Sequence, residues 1–325
     1  MQAKEVKGKI REILEQWNGI EIYFVLKKEN GRIVKSVNIS DEELEQSDTT
    51  SEEMLQGFCD VVAATFESYD DEIEVLKLSS ADERKNGLYY YDLDELPEEM
   101  IMMGEVIAKN VELETFNFSE DSLEEIAAFI TVIGDAEKKI VLYKQQYPIS
   151  LLKRDKYMLT PVPHKNRLKK VDQDILRVDF NFQFCLIDNV YYVSDVDKME
   201  KICSFHTLIT NEAKKSIAKI AEVDIVHNIE ALEDELDNVT FARKLTRVYK
   251  DSKVLGTVPN DTIIEFTRRH RYFLKHPLYT VGDKFVLDTK KSKETFIKLM
   301  NDDFLKSELT NYEYESLAKN AALDV

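Results

Sequence analysis

The sequence has few of the residues that mark linkers or membrane spans. Nine glycines and six prolines in 325 residues are too few for Gly/Ser linkers or Pro-rich segments, so we expect short polar loops. The longest uncharged apolar stretch, Ile126 to Gly134, is far short of the roughly 20 residues that a bilayer span needs. The N-terminus runs into an amphipathic pattern without an apolar signal core. We therefore expect a cytoplasmic protein.

Motifs for cofactor, metal or nucleotide chemistry are also missing. Cys59, Cys185 and Cys203 lie in apolar settings without metal-ligand spacing, which favours buried free thiols. No two glycines lie close enough to form a phosphate-binding loop, and the five histidines never pair at i, i+4. The sequence therefore assigns no catalytic residue, no metal ligand and no cofactor, and it leaves open whether the protein is an enzyme.

Charge is distributed very unevenly along the chain. Residues 1–135 carry 12 Lys/Arg against 33 Asp/Glu, whereas residues 136–325 carry the remaining 32 basic and 29 acidic residues. The net charges are thus −21 and +3, which together give the overall −18. We predict an acidic α+β module over 1–135 and a sheet-plus-helical domain with a basic loop over 136–325. The acidic residues either form exposed faces or dock a basic partner, which includes the chain's own basic loop.

Strand and helix signals are mixed in the first half. Runs over Glu21–Lys28 and Ile33–Ile39 flank Asn30-Gly31, which is a strong hairpin signal. Helical spacing predicts a helix over Ser51–Tyr69, with Ser51 as the N-cap, and another over Ser122–Ile133.

Strand signals are densest in the middle of the chain. We expect strands over Lys139–Lys144, Ile175–Ile187 and Val190–Ser194, with Asp188-Asn189 as a tight turn. Polar and apolar residues alternate strictly from Arg177 to Phe184, which indicates antiparallel pairing with one buried face.

From Lys198 onward the hydrophobic period is helical. Predicted helices cover 211–223, 230–249 with a break near Asp237-Asn238, 261–273 and 292–300. A Thr-x-x-Glu capping box, Thr310 with Glu313, predicts a last helix from Thr310. The predicted fold class is therefore α+β, with a mixed α/β acidic N-terminal module, a central antiparallel sheet and a helical C-terminal region.

A cluster of positive charge in the middle of the chain indicates phosphate binding. Between Lys153 and Lys170 only Asp155 opposes seven basic residues, and Pro161 and Pro163 favour a loop between strands. The seven are Lys153, Arg154, Lys156, Lys165, Arg167, Lys169 and Lys170. If about six of them contact phosphates, DNA affinity should fall roughly a thousand-fold between 50 and 200 mM salt. The alternative is a solvated rim that docks against the acidic half.

A second basic set follows at the end of a predicted helix. Arg268, Arg269 and Arg271 lie where the helix macrodipole favours cations whatever the function. Their functional interpretation is a second DNA-binding patch, with Tyr272 or Phe273 available to stack on an unpaired base.

One enzymatic alternative is a metal-dependent nuclease, which holds a divalent cation between carboxylates beside a lysine. Two Glu-x-Lys runs, Glu83–Lys85 and Glu137–Lys139, have upstream acids in Asp70, Asp71 and Asp121. With 33% charged residues such runs arise by chance, and the alternative interpretation is that they are solvated turns.

Three segments resemble a known family. The tail from Asn301 to Lys319, together with Ile140–Lys144 and Ile175–Phe182, is similar to KwaB, the soluble component of the two-gene Kiwa anti-phage defence system. The resemblance covers most of residues 140–325 and the strand Glu21–Leu26, and the tail is its most specific part.

The resemblance implies a bacterial cytoplasmic effector that binds DNA and hinders phage replication or late transcription. It also implies self-association and a partner, the small multi-spanning membrane protein KwaA, which would recruit the effector to the inner face of the cell membrane. The family offers no catalytic motif to carry over. Three hypotheses remain: a DNA-binding effector without enzymatic activity, a metal-dependent nuclease, and an adaptor that binds only protein partners.

Overall fold

The computed structural model describes residues 1–16, 19–39, 49–80, 87–108, 113–147, 151–152, 161–164, 167–170, 174–306, 309 and 312–315. The chain divides into two compact units. The first unit contains Met1–Tyr91 and Leu96–Cys203, and the second contains Asp92–Glu95 and Ser204–Val325. The predicted α+β class is confirmed, since a large sheet with helices is followed by a mainly helical region.

The described residues of the first unit form strands and four α-helices. The helices are α1 (Ala3–Gln16), α2 (Thr49–Glu67), α3 (Glu98–Ala108) and α4 (Val196–Ile202). The strands are β1 (Ile20–Lys28), β2 (Gly31–Val37), β3 (Leu76–Lys77), β4 (Tyr89–Tyr90), β5 (Ile126–Gly134), β6 (Lys139–Gln145), β7 (Leu151–Leu152), β8 (Pro161–His164), β9 (Arg167–Lys170), β10 (Ile175–Leu176), β11 (Phe184–Ile187) and β12 (Val190–Val193).

Eight of these strands form one sheet in the order β2-β1-β5-β6-β11-β12-β4-β3. All neighbouring pairs are antiparallel except β3 and β4, which are parallel. Strands β7 and β10 form a two-stranded sheet, and so do β8 and β9. The predicted division between residues 135 and 136 falls in the turn between β5 and β6, and the two-domain division by charge stays a prediction.

Two predicted turns are confirmed. Strands β1 and β2 form the expected hairpin, and Gly31 has the positive φ of +128° that favours glycine at this point. In the hairpin of β11 and β12, Asp188 and Asn189 both have left-handed backbone, with φ of 48° and 62°. Positive φ at both central residues is what a two-residue turn needs to match the twist of its strands.

The helix expected over Ser122–Ile133 is wrong. A 3₁₀ turn over Leu123–Glu125 leads directly into β5, which pairs with β1 on one side and with β6 on the other. The run from Ile126 to Ile133 is buried almost throughout. A strand that is covered on both faces is apolar at nearly every position, so its periodicity cannot be distinguished from that of a buried helix.

The long strand expected over Ile175–Ile187 is present only at its two ends, as β10 and β11. Between them the predicted alternation matches burial from Arg177 to Phe182 without forming a ladder, and it fails at Gln183, which is buried. Phe182 is buried and Val178 and Phe180 are half-buried, whereas the polar residues between them are exposed. The alternation of polar and apolar residues therefore predicted which side chains face the core. Whether the segment pairs as a strand depended on the neighbouring strands.

Helices α1 and α2 cover one face of the large sheet. They bury apolar side chains against Phe24 of β1, Phe129 of β5 and Leu142 of β6 in one continuous core. The helix residues are Ala3, Val6, Ile10 and Ile13 of α1 and Leu55, Phe58, Val62 and Phe66 of α2. Helix α3 is tied to the sheet by Tyr191, whose hydroxyl donates to the carbonyl of Met100 at 2.7 Å.

The second unit is mainly helical. Its helices are α5 (Phe205–Val223), α6 (Glu230–Glu233), α7 (Val239–Asp251), α8 (Asn260–Arg269), α9 (Arg271–Lys275) and α10 (Lys290–Met300). Its strands are β13 (Thr280–Val281), β14 (Lys284–Phe285), β15 (Phe304–Lys306) and β16 (Glu313–Glu315). The predicted break near Asn238 is confirmed, since Asn238 caps α7 by accepting the backbone N–H of Phe241. None of the helices that the structure describes is long and apolar enough to cross a membrane.

The last helix, predicted from Thr310, is wrong over Glu313–Glu315, which form β16. This strand pairs antiparallel with β15, with Tyr314 opposite Leu305. A capping box describes one turn of backbone only, and here the cross-strand partner decides the structure. Thr310 itself lies outside the described residues.

We predict that Gly134→Ala destabilises the protein. Gly134 ends β5 with φ of +126°, and an added Cβ would overlap the carbonyl oxygen of Lys138 across the turn. We expect a loss of about 2 kcal/mol or more in unfolding free energy, measured by urea denaturation. Gly8→Ala is the matched control, because Gly8 lies within α1 with no atom near its Cβ position. This control should gain about 0.5–1 kcal/mol; equal effects of the two substitutions would contradict the assigned turn.

We also predict that the thiols of the native protein are unreactive. Cys59, Cys185 and Cys203 are free and buried, as expected from their apolar settings. Burial raises the pKa of the Cys59 thiol to about 11 and raises the pKa of the other two thiols as well. Because the thiolate is the reactive form, a thiol reagent at pH 8 should label the native protein very slowly and all three cysteines after denaturation. Rapid labelling of one native thiol would contradict this burial.

Candidate nucleic-acid interface

Three of the predicted DNA-binding residues, Arg167, Lys169 and Lys170, lie on β9. This strand pairs antiparallel with β8, so a β-hairpin replaces part of the expected loop. Prolines are tolerated in β8 because, among the residues that the structure describes, this ribbon has two strands, so each strand has one edge outside the ladder. The other four residues of this set, Lys153, Arg154, Lys156 and Lys165, lie outside the described residues.

The second predicted set lies at the corner between α8 and α9. Arg268 and Arg269 end α8, His270 breaks the helix, and Arg271 begins α9. All three arginines are exposed, and Arg269 forms an i, i+4 ion pair with Glu265. The three side chains are therefore at the surface. Arg268 and Arg269 lie at the C-terminus of α8, which favours positive charge, whereas Arg271 lies at the N-terminus of α9.

A cluster of tilted and edge-to-face aromatic rings packs at this corner. Phe304 of β15 lies 4.6 Å from Tyr272, 4.8 Å from Phe273 and 5.7 Å from His270 between ring centroids. Phe273 is only 3% exposed, so it belongs to the core and does not offer a stacking surface to a base. Tyr272 is half-buried, and the suggested stacking role is left to it alone.

In the first unit, cations are widely paired with carboxylates. Lys7 contacts Asp71 at 2.7 Å, Lys28 contacts Glu125 at 2.5 Å, and Lys35 lies within 3.0 Å of Asp121. Further pairs are Lys9–Asp188, Arg11–Glu67, Arg32–Glu99, Lys138–Glu12 and Lys144–Asp179. Since acids outnumber bases in this part of the chain, pairing uses the cations and leaves carboxylates in excess.

Sequence reasoning missed a third basic surface, on α7. Arg243, Arg247 and Lys250 recur at i, i+4 and i+7, and Lys244 is exposed beside them. The buried residues of this helix, Phe241, Ala242, Leu245, Thr246 and Val248, occupy the opposite side. The i, i+4, i+7 spacing was the signal that could have identified it, because residues so spaced share one helix face.

Asp94 lies at one edge of this α7 face. Its carboxylate contacts the ammonium groups of Lys215 at 2.8 Å and Lys250 at 3.1 Å. Glu212, which is 1% exposed, also contacts Lys215, at 2.6 Å, and Lys250, at 3.7 Å. The two lysines lower the pKa of Asp94, and the two carboxylates raise the pKa of Lys215. Two acids and two bases thus form a charge-balanced network within the second unit.

The acids of the nuclease alternative take part in local structure. Asp71 and Asp121 bind lysines, Asp70 accepts the backbone N–H of Glu72 at 3.1 Å, and Glu137 lies in the turn between β5 and β6. Glu83 and Lys85 lie outside the described residues. In the ranges that the structure describes, no group of three or more His, Cys, Asp or Glu side chains is arranged to hold a metal ion.

Sequence comparisons identify the protein family of this chain. The sequence model of the family described as Kiwa protein KwaB-like matches residues 123–310, which is more than half of the chain. The chain belongs to the KwaB family. The Kiwa protein KwaB of Escherichia coli O55:H7 (strain RM12579 / EPEC) is 29% identical over 322 residues, which cover 98% of this chain and 99% of that protein. No solved structure matches.

Membership makes the protein a component of the Kiwa anti-phage defence system. The region matched to the KwaB family begins just before β5 and contains β9, α7 and the α8–α9 corner. Asp94 and the helices α1, α2 and α3 lie outside it. All three basic surfaces are therefore in the part of the chain that the family model describes.

We predict that the Asp121–Lys35 contact stabilises the protein only above acidic pH. The backbone N–H of Asn117 and the ammonium group of Lys35 lower the pKa of Asp121. Because the folded pKa is depressed, the stabilisation is present above the ordinary value of about 4 and is lost as pH falls through the folded value.

Asp121→Asn should therefore lower the urea midpoint at pH 7, and the difference from the unaltered protein should shrink towards pH 3. Glu120→Gln is the matched control, because Glu120 is an exposed neighbouring acid. It should leave the midpoint nearly unchanged at both pH values, and a pH-independent effect of Asp121→Asn would contradict the prediction.

Proposed function

We propose that this KwaB-family protein is an effector that binds phage DNA without an enzymatic step and thereby hinders phage replication or late transcription. The α8–α9 corner carries the proposal, because Arg268, Arg269 and Arg271 are exposed on a surface whose underlying rings are packed. Exposed arginines on a packed backbone can contact phosphates. Family membership in a defence system supports DNA of an invading phage as the ligand.

The β8–β9 hairpin is the second proposed contact. Arg167, Lys169 and Lys170 follow one another on a strand, in a segment where the sequence has seven basic residues against one acid. Two-stranded ribbons are one of the elements that fit the major groove of double-stranded DNA, which is about 12 Å wide. Lys153, Arg154, Lys156 and Lys165 are proposed to extend this contact along the DNA backbone.

The charge division along the chain is proposed to be functional. Residues 136–325 would carry the DNA contacts, and the acidic module over 1–135 would repel DNA and engage protein partners. One proposed partner is the membrane protein KwaA, which would hold the effector at the inner face of the cell membrane. Self-association, which the resemblance to KwaB implies, is proposed as well, and several copies bound side by side would strengthen attachment to one DNA molecule.

Salt-dependent binding tests the proposal. Labelled double-stranded DNA is titrated with the protein from 50 to 200 mM salt without divalent metal, and binding is followed by fluorescence anisotropy. Each phosphate contact contributes about 0.9 to the slope of log affinity against log salt. Arg268→Gln with Arg271→Gln should therefore reduce the slope by about 2, and Arg167→Gln with Lys169→Gln and Lys170→Gln by about 3.

The matched control is Lys290→Gln with Lys291→Gln. These lysines are exposed in the first turn of α10. Replacing both removes two positive charges, the same change as in the corner variant. The control should leave the slope nearly unchanged. Equal slopes for the corner variant, the hairpin variant and the unaltered protein would overturn the proposed contacts.

The same titration separates the other two hypotheses. Absence of binding at 50 mM salt would overturn the proposal and favour an adaptor that binds protein partners, which co-purification with KwaA would then test. Cleavage of the DNA on addition of Mg²⁺ or Mn²⁺ would contradict the absence of an enzymatic step. Loss of such cleavage in Glu83→Ala or Glu137→Ala would identify the nuclease site.

A further inference from the structure

Basic residues run along one side of helix α7. A rotation of about 100° per residue places Arg243, Arg247 and Lys250 within roughly 60° of one another, on the side opposite the buried residues. Lys244 is exposed next to them, and Arg247 is half-buried. Nε and Nη2 of Arg243 are buried, and its guanidinium carbon lies 5.3 Å from the centroid of the Phe205 ring. The helix itself has a single acid, Asp251. Asp94 and Glu212 balance the charge of Lys250, so the excess positive charge of this face rests on Lys244 and Arg247 together with Arg243.

Lys215 of α5 extends this face, because Lys215 and Lys250 contact the same carboxylate. One oxygen of Asp94 contacts Lys215 and the other contacts Lys250, at 2.8 and 3.1 Å. Two ammonium groups that converge on two oxygens form an arrangement that a phosphate group can also accept.

The two acids of the network differ in their access to solvent. The side chain of Glu212 is 1% exposed and serves as the internal counter-charge of the lysines, whereas that of Asp94 is 50% exposed. An external anion could replace the Asp94 carboxylate without moving a buried group. Glu212 would keep its contacts with both lysines during this exchange.

The residues around Asp94 have anchors of their own. Leu93 is buried, Lys250 donates to the carbonyl of Asp92 at 2.5 Å, and Asn211 donates to Glu95 at 3.3 Å. Residues 92–95 therefore remain attached to the second unit when the charge of Asp94 is removed. Asp94 can act as an exchangeable ligand on a fixed support.

We infer that the α7 face and Lys215 form a further binding site for the phosphate backbone of DNA, and that Asp94 is an internal competitor that partly occupies this site. The inference rests on the proposed DNA binding and adds to it a site and a regulatory contact. Binding of a polyanion displaces Asp94 from Lys215 and Lys250, so the affinity of the resting protein is held below the value that its cations allow.

Two variants test this inference by the same anisotropy titration. Asp94→Asn should bind double-stranded DNA several-fold more tightly at 100 mM salt and increase the salt slope by about 1–2, because Lys215 and Lys250 become available to phosphates. Lys244→Gln with Arg247→Gln should reduce the slope by about 2. The second variant changes only residues without contact to Asp94, so it tests the site even if Asp94→Asn weakens the fold.

Glu222→Gln is the matched control for Asp94→Asn. Glu222 is an exposed acid near the end of α5, so its substitution changes the net charge equally without touching the network. An equal gain in affinity for both substitutions would show a general charge effect and overturn the competitor role. Thermal unfolding of each variant should show that the second unit remains folded.

The outcomes distinguish this inference from the proposed function. If the unaltered protein binds DNA and only the α8–α9 corner and hairpin variants weaken binding, the proposed function stands and the α7 site is wrong. If neither the unaltered protein nor Asp94→Asn binds DNA, both fail. Binding by Asp94→Asn alone would support the competitor and show that the resting protein is inhibited.

Discussion

The pairing of β5 with both β1 and β6 is the interaction on which the first unit depends. It joins strands from the first 40 residues to the strand pair near residue 190, because β1 pairs with β5, β5 with β6, and β6 with β11. The side chains of Ile126–Ile133 fill the centre of the sheet and are almost all buried. Without this strand, α1 and α2 would have no continuous surface on which to bury their apolar residues.

An apolar core of this kind places most charged residues at the surface of the unit. The numbers of acidic and basic residues then decide how many of them form ion pairs. The first unit contains Lys7 and Glu99 at buried positions, and each has an opposite charge nearby. Burial of an unpaired charge costs several kcal/mol, so buried lysines and arginines require partners. Because acids are in large excess before residue 136, satisfying these cations leaves a surplus of carboxylates in residues 1–135.

The basic surfaces lie in the later part of the chain and on different kinds of element. A hairpin carries Arg167, Lys169 and Lys170, a helix corner carries the three arginines 268, 269 and 271, and one helix face carries the cations of α7. The role of Asp94 would connect the acidic character of the chain to control of binding, since one carboxylate would compete with phosphate for two lysines.

Much of the fold could be predicted from the sequence, and the errors have physical causes. Local backbone preferences, which act within a few residues, predicted three features correctly. These are the hairpin turns at Gly31 and at Asp188-Asn189 and the break before α7. The helix expected at Ser122–Ile133 and the one expected at Thr310 both failed, because the partner strand decided the structure in each case. For the proposed site, the sequence predicted the basic segments before residue 171 and after residue 267, which stay predictions, and it did not single out the face of α7.

The sequence by itself determined the acidic first part, the positions of the turns, the burial of the thiols and the family of the protein, because composition, local propensity and residue identity do not depend on distant contacts. Only the tertiary structure decided that Phe273 is buried, that β5 is a strand, and that Asp94 meets Lys215 and Lys250. These features depend on pairs of residues far apart in the chain, and side-chain packing selects such pairs in three dimensions.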